Sequence, residues 1–302
     1  MAIVLFRRPG TVAVLDDDID FLELAGTSLS ARWRTNVFGR PDDLIKHAKQ
    51  EIPFEEADLW TQHEAIGRWR TGASSLPNEV LSYWAHNTER FALTRVSVVD
   101  YVMPRLNGLD VLSQLREWRA KRILLTGRVQ ESIAIEGFNA GLIHRFLSKF
   151  EAPLSERLKW SVEELMESPE SRLEELWRGT LTRAQSQALA SARAAAGLEA
   201  FLGDLFVEHI VTAEPFGFMG ITQHGLVGWV PLTLGQRNDQ VSDKDILLTL
   251  GSSLAPSFAK PIVFEEGVLS GGCFLIDRAL GARPPPTSYS SWRRHRVEEA
   301  HV

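Results

Sequence analysis

Two short apolar runs, TVAVL (11–15) and VSVV (96–99), each give way to carboxylates: Asp16 and Asp17 after the first, Asp100 after the second. An unbroken apolar run of four or five residues is the pattern of a strand covered on both faces, as in parallel α/β sheets. In open sheets of that kind the chemistry collects beyond the carboxyl ends of the strands, so both acidic clusters are expected on one rim. Carboxylates crowded together raise one another's pKa unless a cation lies among them, and an all-oxygen donor set suits a hard ion such as Mg²⁺.

Two further runs continue the pattern. RILLTG (122–127) ends near a hydroxyl, Thr126, and IHRFLSK (143–149) ends on a cation, Lys149. An acid pair, a lone Asp100 followed by Tyr-Val-Met-Pro-Arg-Leu-Asn-Gly, a Thr and a Lys, each after a strand and in that order, resemble the signature of response-regulator receiver domains over roughly residues 10 to 150. Ala140-Gly141 before the last run fits the same pattern. The resemblance implies a flavodoxin-like, doubly wound parallel five-stranded α/β domain. It implies Asp100 as the phosphoacceptor, taking a phosphoryl group from a sensor histidine kinase or a histidine phosphotransfer protein. Mg²⁺ would be held by Asp17, Asp100 and the backbone carbonyl of Val102, with Asp16 orienting its waters. Thr126 and Lys149 would bind the phosphoryl oxygens, and Phe146, three residues before Lys149, would be the switch aromatic, driven by packing because it has no hydroxyl.

The chain departs from that family in three places. About 55 residues separate the second strand, TNVFG (35–39), from the strand that ends on Asp100, where one helix is the rule. The extra segment, about 51–94, carries helical patterns over 54–70 and 77–92, with Trp60, Trp69 and Trp84 on them; these are expected to pack the helical pair onto the domain, or else to form a docking surface. Lys149 is followed by Phe150 rather than Pro, and a cis peptide before a non-proline residue costs about 2.5–4 kcal/mol. Val102 and Arg128 stand where family members flank the attacking water, and an apolar Val102 cannot orient it.

With 302 residues, about two domains are expected. The division is a receiver over 1–152, a connector helix over 153–180, a smaller α+β output domain over 181–282 and a disordered tail over 283–302. The single cysteine, Cys273, excludes an intrachain disulfide, and no apolar stretch reaches the roughly 20 residues of a membrane span, so a cytoplasmic protein without a membrane partner is expected. In the second half, Thr182-Arg-Ala-Gln185 opens a helix to about 196, LEAFLGDLFVEHIV continues as a further helix ending near His209, residues 215–232 form a hairpin around Gly225, and 243–255 form another helix. His209 and His224, at a helix end and in a turn, do not suggest a metal pair.

The whole chain has a net charge of −6, and residues 178–302 hold 11 Lys plus Arg against 12 Asp plus Glu, a net of −1. A DNA-binding output would be expected to show a basic face, so nucleic acid is disfavoured as a partner. The expectation is a phosphorylated regulator, with no separate catalytic domain, whose output half works by protein interaction or small-ligand binding. A DNA-binding transcriptional regulator and a receiver-switched enzyme are the alternatives, and a homodimer is an option.

Overall fold

The computed structural model describes residues 3–127, 131–190, 192–234, 259–263 and 269–279. Arg128, the expected helix over 243–255 and the expected tail over 283–302 lie outside them. In chain order the elements are β1 (Phe6–Arg7), β2 (Thr11–Leu15), α1 (Ile19–Ser30), β3 (Thr35–Phe38), α2 (Pro41–Arg70), α3 (Leu76–His86), a 3₁₀ turn (Thr88–Ala92), β4 (Thr94–Asp100), α4 (Gly108–Gln114), β5 (Lys121–Thr126), α5 (Glu131–Asn139) and β6 (Arg145–Ser148). They continue with α6 (Leu154–Glu167), α7 (Ser171–Arg178), α8 (Arg183–Leu189), α9 (Ala192–Leu205), β7 (Glu208–Ala213), β8 (Phe216–Ile221), β9 (Leu226–Leu234), β10 (Ala259–Val263) and β11 (Leu269–Ala279). No described helix is long and apolar enough to cross a membrane.

The first sheet has the strand order β3-β2-β4-β5-β6, every pair parallel. Its strands alternate between two cores. Val12, Val14, Val96, Val98, Ile123 and Leu125 face α1 and α6 with Leu22, Leu29, Leu158 and Val162. Ala13, Leu15, Val99 and Leu124 face the opposite way, with Leu44, Leu109, Leu112 and Ile133. Each fully buried Val, Leu or Ile contributes about 1.5–3 kcal/mol, and both faces are apolar, so the strands read as continuous runs rather than alternating ones.

The insertion differs from expectation. Instead of a helix that starts near 54, α2 is one 30-residue helix that begins at Pro41 and carries Pro53 inside it. Its first turns, through Leu44 and Ala48, cover the parallel sheet, while Ile66 near its end belongs to a second core. Between them its buried face is polar: Glu51, Glu55, Asp58 and Gln62. The second predicted helix stops at His86 and the chain continues as the 3₁₀ turn.

The second sheet, ordered β1-β7-β8-β9-β11-β10, is antiparallel throughout. Its first strand comes from the other end of the sequence. Residues 3–8, expected within the receiver unit, instead pair Phe6 with Ile210 and Arg7 with His209. Two backbone N–H groups there, of Leu5 and Phe6, donate to Glu174 Oε1 at 2.6 and 3.1 Å. Trp84 and Trp177 are almost wholly buried in the core beneath this sheet, among Phe6, Phe206, Phe218 and Trp229. The insertion tryptophans therefore do not act alike: Trp84 is packed under the antiparallel sheet, Trp69 is half-buried beside that core, and Trp60 stands 65% exposed.

Two more expectations are corrected. The connector is two helices, α6 on the parallel sheet and α7 against β1 and β7, parted at Ser168–Pro169. The helix expected through EHIV ends at Leu205, and His209 lies in β7, because burial on both sides lets this short apolar run pair as a strand. The expected hairpin is β8 and β9, with Gly225 at φ +78° in its turn, a conformation open to glycine.

Candidate functional site

The register of the parallel sheet builds the site. Leu15 pairs with Val99, so Asp16 and Asp100 emerge side by side at the carboxyl ends of β2 and β4. Asp100 pairs with Leu125 and Thr126 with Ser148, which places Thr126 and Lys149 next along the same rim. The Lys149 ammonium closes the group, 2.6 Å from Asp16 Oδ2 and 2.8 Å from Asp100 Oδ1. Its backbone N–H donates to the Thr126 carbonyl at 2.8 Å, fixing the turn after β6 on β5.

Burial governs the electrostatics. Asp16 is wholly buried and Asp100 is 2% exposed. Desolvation pushes both carboxyl pKa values up despite hydrogen bonds from Lys149, and the charge of Asp17 adds to the rise at Asp16 as that of Asp16 does at Asp100. For Lys149 burial works downward but is outweighed by the hydrogen bonds to Asp100 and Asp16, so its pKa rises. The ammonium also lies 4.8 Å from the Phe21 ring centroid, a cation–π distance.

The loop after Asp100 is held by the same carboxylate. Val102 N–H donates to Asp100 Oδ2 at 2.8 Å, and the Val102 side chain is half-exposed. Gly108 opens α4 where a Cβ would come within 2.4 Å of the Asp100 carbonyl oxygen, so the glycine that ends the Met-Pro-Arg-Leu-Asn-Gly stretch is what lets this helix approach the strand. Asn107 caps α4 in a reciprocal pair with Asp110. Phe146 lies in β6, half-buried against the cluster of Leu109 and Ile133. The Lys149–Phe150 peptide is not cis; the cis bond in this stretch is Ala152–Pro153.

Asp16, Asp17 and Asp100 each present an oxygen, all within 4.8 Å of one another, and Asp17 is the exposed member. Three carboxylates with no sulfur or imidazole among them form the donor set of a hard divalent cation. Two residues add to the site beyond the sequence expectation. Asp18 accepts from the N–H groups of Asp20 and Phe21 and so starts α1 immediately after the acid pair, which the Asp-Asp-Asp-Ile spelling could have signalled. Phe21 beside Lys149 had no such signal.

No known family profile matches the chain, and no curated protein matches it. Solved structures do. The response regulator LqsR of Legionella pneumophila superposes with a TM-score of 0.58 at 22% identity, over 77% of this chain and 68% of that one. The response regulator DrrB of Thermotoga maritima gives 0.34 at 19% identity, over 53% of each chain. A Francisella response-regulator receiver domain gives 0.33 at 20%, over 53% of this chain and 97% of that one. With the five-stranded parallel order, the likeness to LqsR shows that the first half of this chain has the fold found in response regulators.

Proposed function

We propose that the protein is a two-component response regulator that accepts a phosphoryl group on Asp100. The observation that carries this reading is the single ammonium of Lys149 bridging Asp16 and Asp100 on a rim shared with Thr126. Phosphoryl transfer needs little covalent help from the protein; it needs a positioned nucleophile and neutralised charge. An Asp100 carboxylate oxygen attacks phosphorus, the P–N bond of a phosphohistidine breaks, and its electron pair stays on the departing imidazole. In this reading Lys149 pairs with one phosphoryl oxygen and the Thr126 hydroxyl donates to another. Mg²⁺, held by Asp17, Asp100 and the Val102 carbonyl with Asp16 orienting its waters, would supply the remaining positive charge. Phe146 would respond to the inward movement of Thr126 by repacking. Val102, apolar and half-exposed, offers no group to orient a hydrolytic water, so loss of the phosphoryl group is slow; loss within seconds from purified protein would contradict this.

The partner in this reading is a sensor histidine kinase or a histidine phosphotransfer protein, in the cytoplasm. The output half, organised around β7–β11, acts by protein interaction or small-ligand binding, and the core it shares with α2 and α3 supports a direct mechanical link to the receiver. Beryllofluoride with Mg²⁺, which mimics an acyl phosphate, is expected to raise the melting temperature of the wild type and to do nothing for Asp100→Asn. No shift in the wild type, or the same shift in both, sinks the reading.

A further inference from the structure

A cleft follows the outer face of α2 on the rim opposite Asp100, where the loop before β5 and the start of α7 meet that helix. It consists of two adjoining cavities of about 560 and 580 Å³. Glu56, Arg119 and Arg172 line both. Leu59, His63, Glu64 and the 65% exposed Trp60 complete the first, and Lys121 and His144 border the second.

Three features of this cleft are unspent. Arg119 is half-buried, its charge acting on Glu55, and Arg172 is exposed; among the described residues neither guanidinium lies within ion-pair distance of a carboxylate. Of the other acids that line the second cavity, Glu170 is already held by Arg8 and Arg95 at 3.0 Å each, and Glu55 accepts from the Arg119 backbone N–H at 3.3 Å. The Trp60 indole leaves a large apolar face in water beside those two cations, whereas Trp84 and Trp177 are buried. Guanidinium pairs favour anions with oxygens to share, above all phosphate, and an open indole offers a stacking face to a flat ring. Glu56 and Glu64, on the same wall, accept hydrogen bonds only, which suits a ring that carries N–H donors.

We infer that this cleft binds a nucleoside monophosphate, its base on Trp60 and against Glu56 and Glu64, its phosphate between Arg119 and Arg172. The walls come from α2, from the loop that leads into β5 and from α7, so occupancy would brace the joint at which the parallel sheet meets the antiparallel one. The site is distinct from the Asp100 rim and needs no phosphorylation.

Isothermal titration of the full chain with the four ribonucleoside 5′-monophosphates tests this, with adenosine alone and inorganic phosphate alone as the other arms. The expected result is saturable binding of at least one nucleotide at one per chain, with adenosine and phosphate each much weaker. Arg172→Gln should weaken it by about tenfold or more and Trp60→Leu by about fivefold or more, both being surface positions outside the core. Binding that is absent with all four nucleotides, unchanged in both variants, equalled by phosphate alone, or lost in Asp100→Asn overturns the inference.

Discussion

Arg90 and Glu208 form a two-pronged ion pair closed to solvent on both sides, with Arg90 Nη2 2.7 Å from Glu208 Oε2 and Arg90 Nε 3.0 Å from Oε1. The arginine comes from the 3₁₀ turn that leads into the Asp100 strand, the glutamate from the first residue of β7. Trp84 Nε1 donates to the same carboxylate at 3.0 Å, and the spare guanidinium nitrogen donates to the Asn87 and Trp84 carbonyls. With these lone pairs and protons satisfied the pair is tolerated inside; broken, it leaves a bare charge. Glu208→Gln and Arg90→Met are each expected to cost about 3–5 kcal/mol in urea unfolding, while an apolar double replacement recovers most of it. A single variant within about 1 kcal/mol of wild type would contradict this.

Lys149→Met removes the one ammonium between two buried carboxylates. Unfolding at pH 7 should become easier by about 3 kcal/mol, and millimolar Mg²⁺ should restore more stability to the variant than it adds to the wild type. Because the folded pKa of Lys149 is raised, its contribution is complete below the unfolded value of 10.5 and fades as pH climbs through the higher folded value. Equal Mg²⁺ responses in the two proteins would count against a cation among Asp16, Asp17 and Asp100.

His209, buried with Nε2 donating to the Val4 carbonyl at 3.0 Å, has its pKa lowered to about 3 by desolvation and by the charge of Arg7. The unfolded chain takes up that proton near 6.5 and the folded one does not, so stability present above 6.5 is lost as pH falls toward 3. The slope approaches about 1.4 kcal/mol per pH unit, and His209→Gln, which keeps a donor for Val4, should flatten it. Chemical denaturation from pH 7 to 4 measures the difference.

Glu55 has the opposite sign. Burial, only partly offset by Arg8 and Arg119, raises its carboxyl to about 7 from 4.5, so the fold holds a proton that the unfolded chain releases. Its contribution falls as pH rises from 4.5 through 7. Glu55→Gln is therefore expected to gain stability relative to wild type at pH 8 and not at pH 5; the same difference at both would refute a raised carboxyl.

Phe6→Ala removes a wholly buried ring from beneath the antiparallel sheet and should cost about 3–5 kcal/mol. Hydrogen exchange should then quicken in β7 and β8 more than in β2 and β4. An effect confined to the parallel sheet would contradict the placement of β1.

What could be read from the sequence was what depends on neighbours in sequence. The runs at 11–15, 96–99 and 122–126 announce buried strands by composition alone, and polar residues at their ends locate the rim. The long-range pairing could not be read: Phe6–Arg7 is only two residues long and finds its partner about 200 residues away, with nothing local to mark it. The course of α2 was hidden by Pro53, which resembles a boundary, and by the buried row Glu51, Glu55, Asp58 and Gln62, which looks like a solvated face. Those side chains are inside because each finds a distant partner: Trp118 for Glu51, the Arg119 N–H for Glu55, Arg8 and Tyr83 for Asp58, and Trp177 for Gln62. Sequence places the first half of each such pair and never the second.

The pairing of β1 with β7 also constrains how the molecule comes into being. On a ribosome, residues 3–8 emerge early and wait until β7 has been made before they have a strand to lie against. The parallel sheet can assemble in that interval, but the apolar segment ahead of it stays uncovered. Grafting the parallel-sheet half onto a different partner domain would strand that segment permanently, so the two halves of this chain are not interchangeable parts.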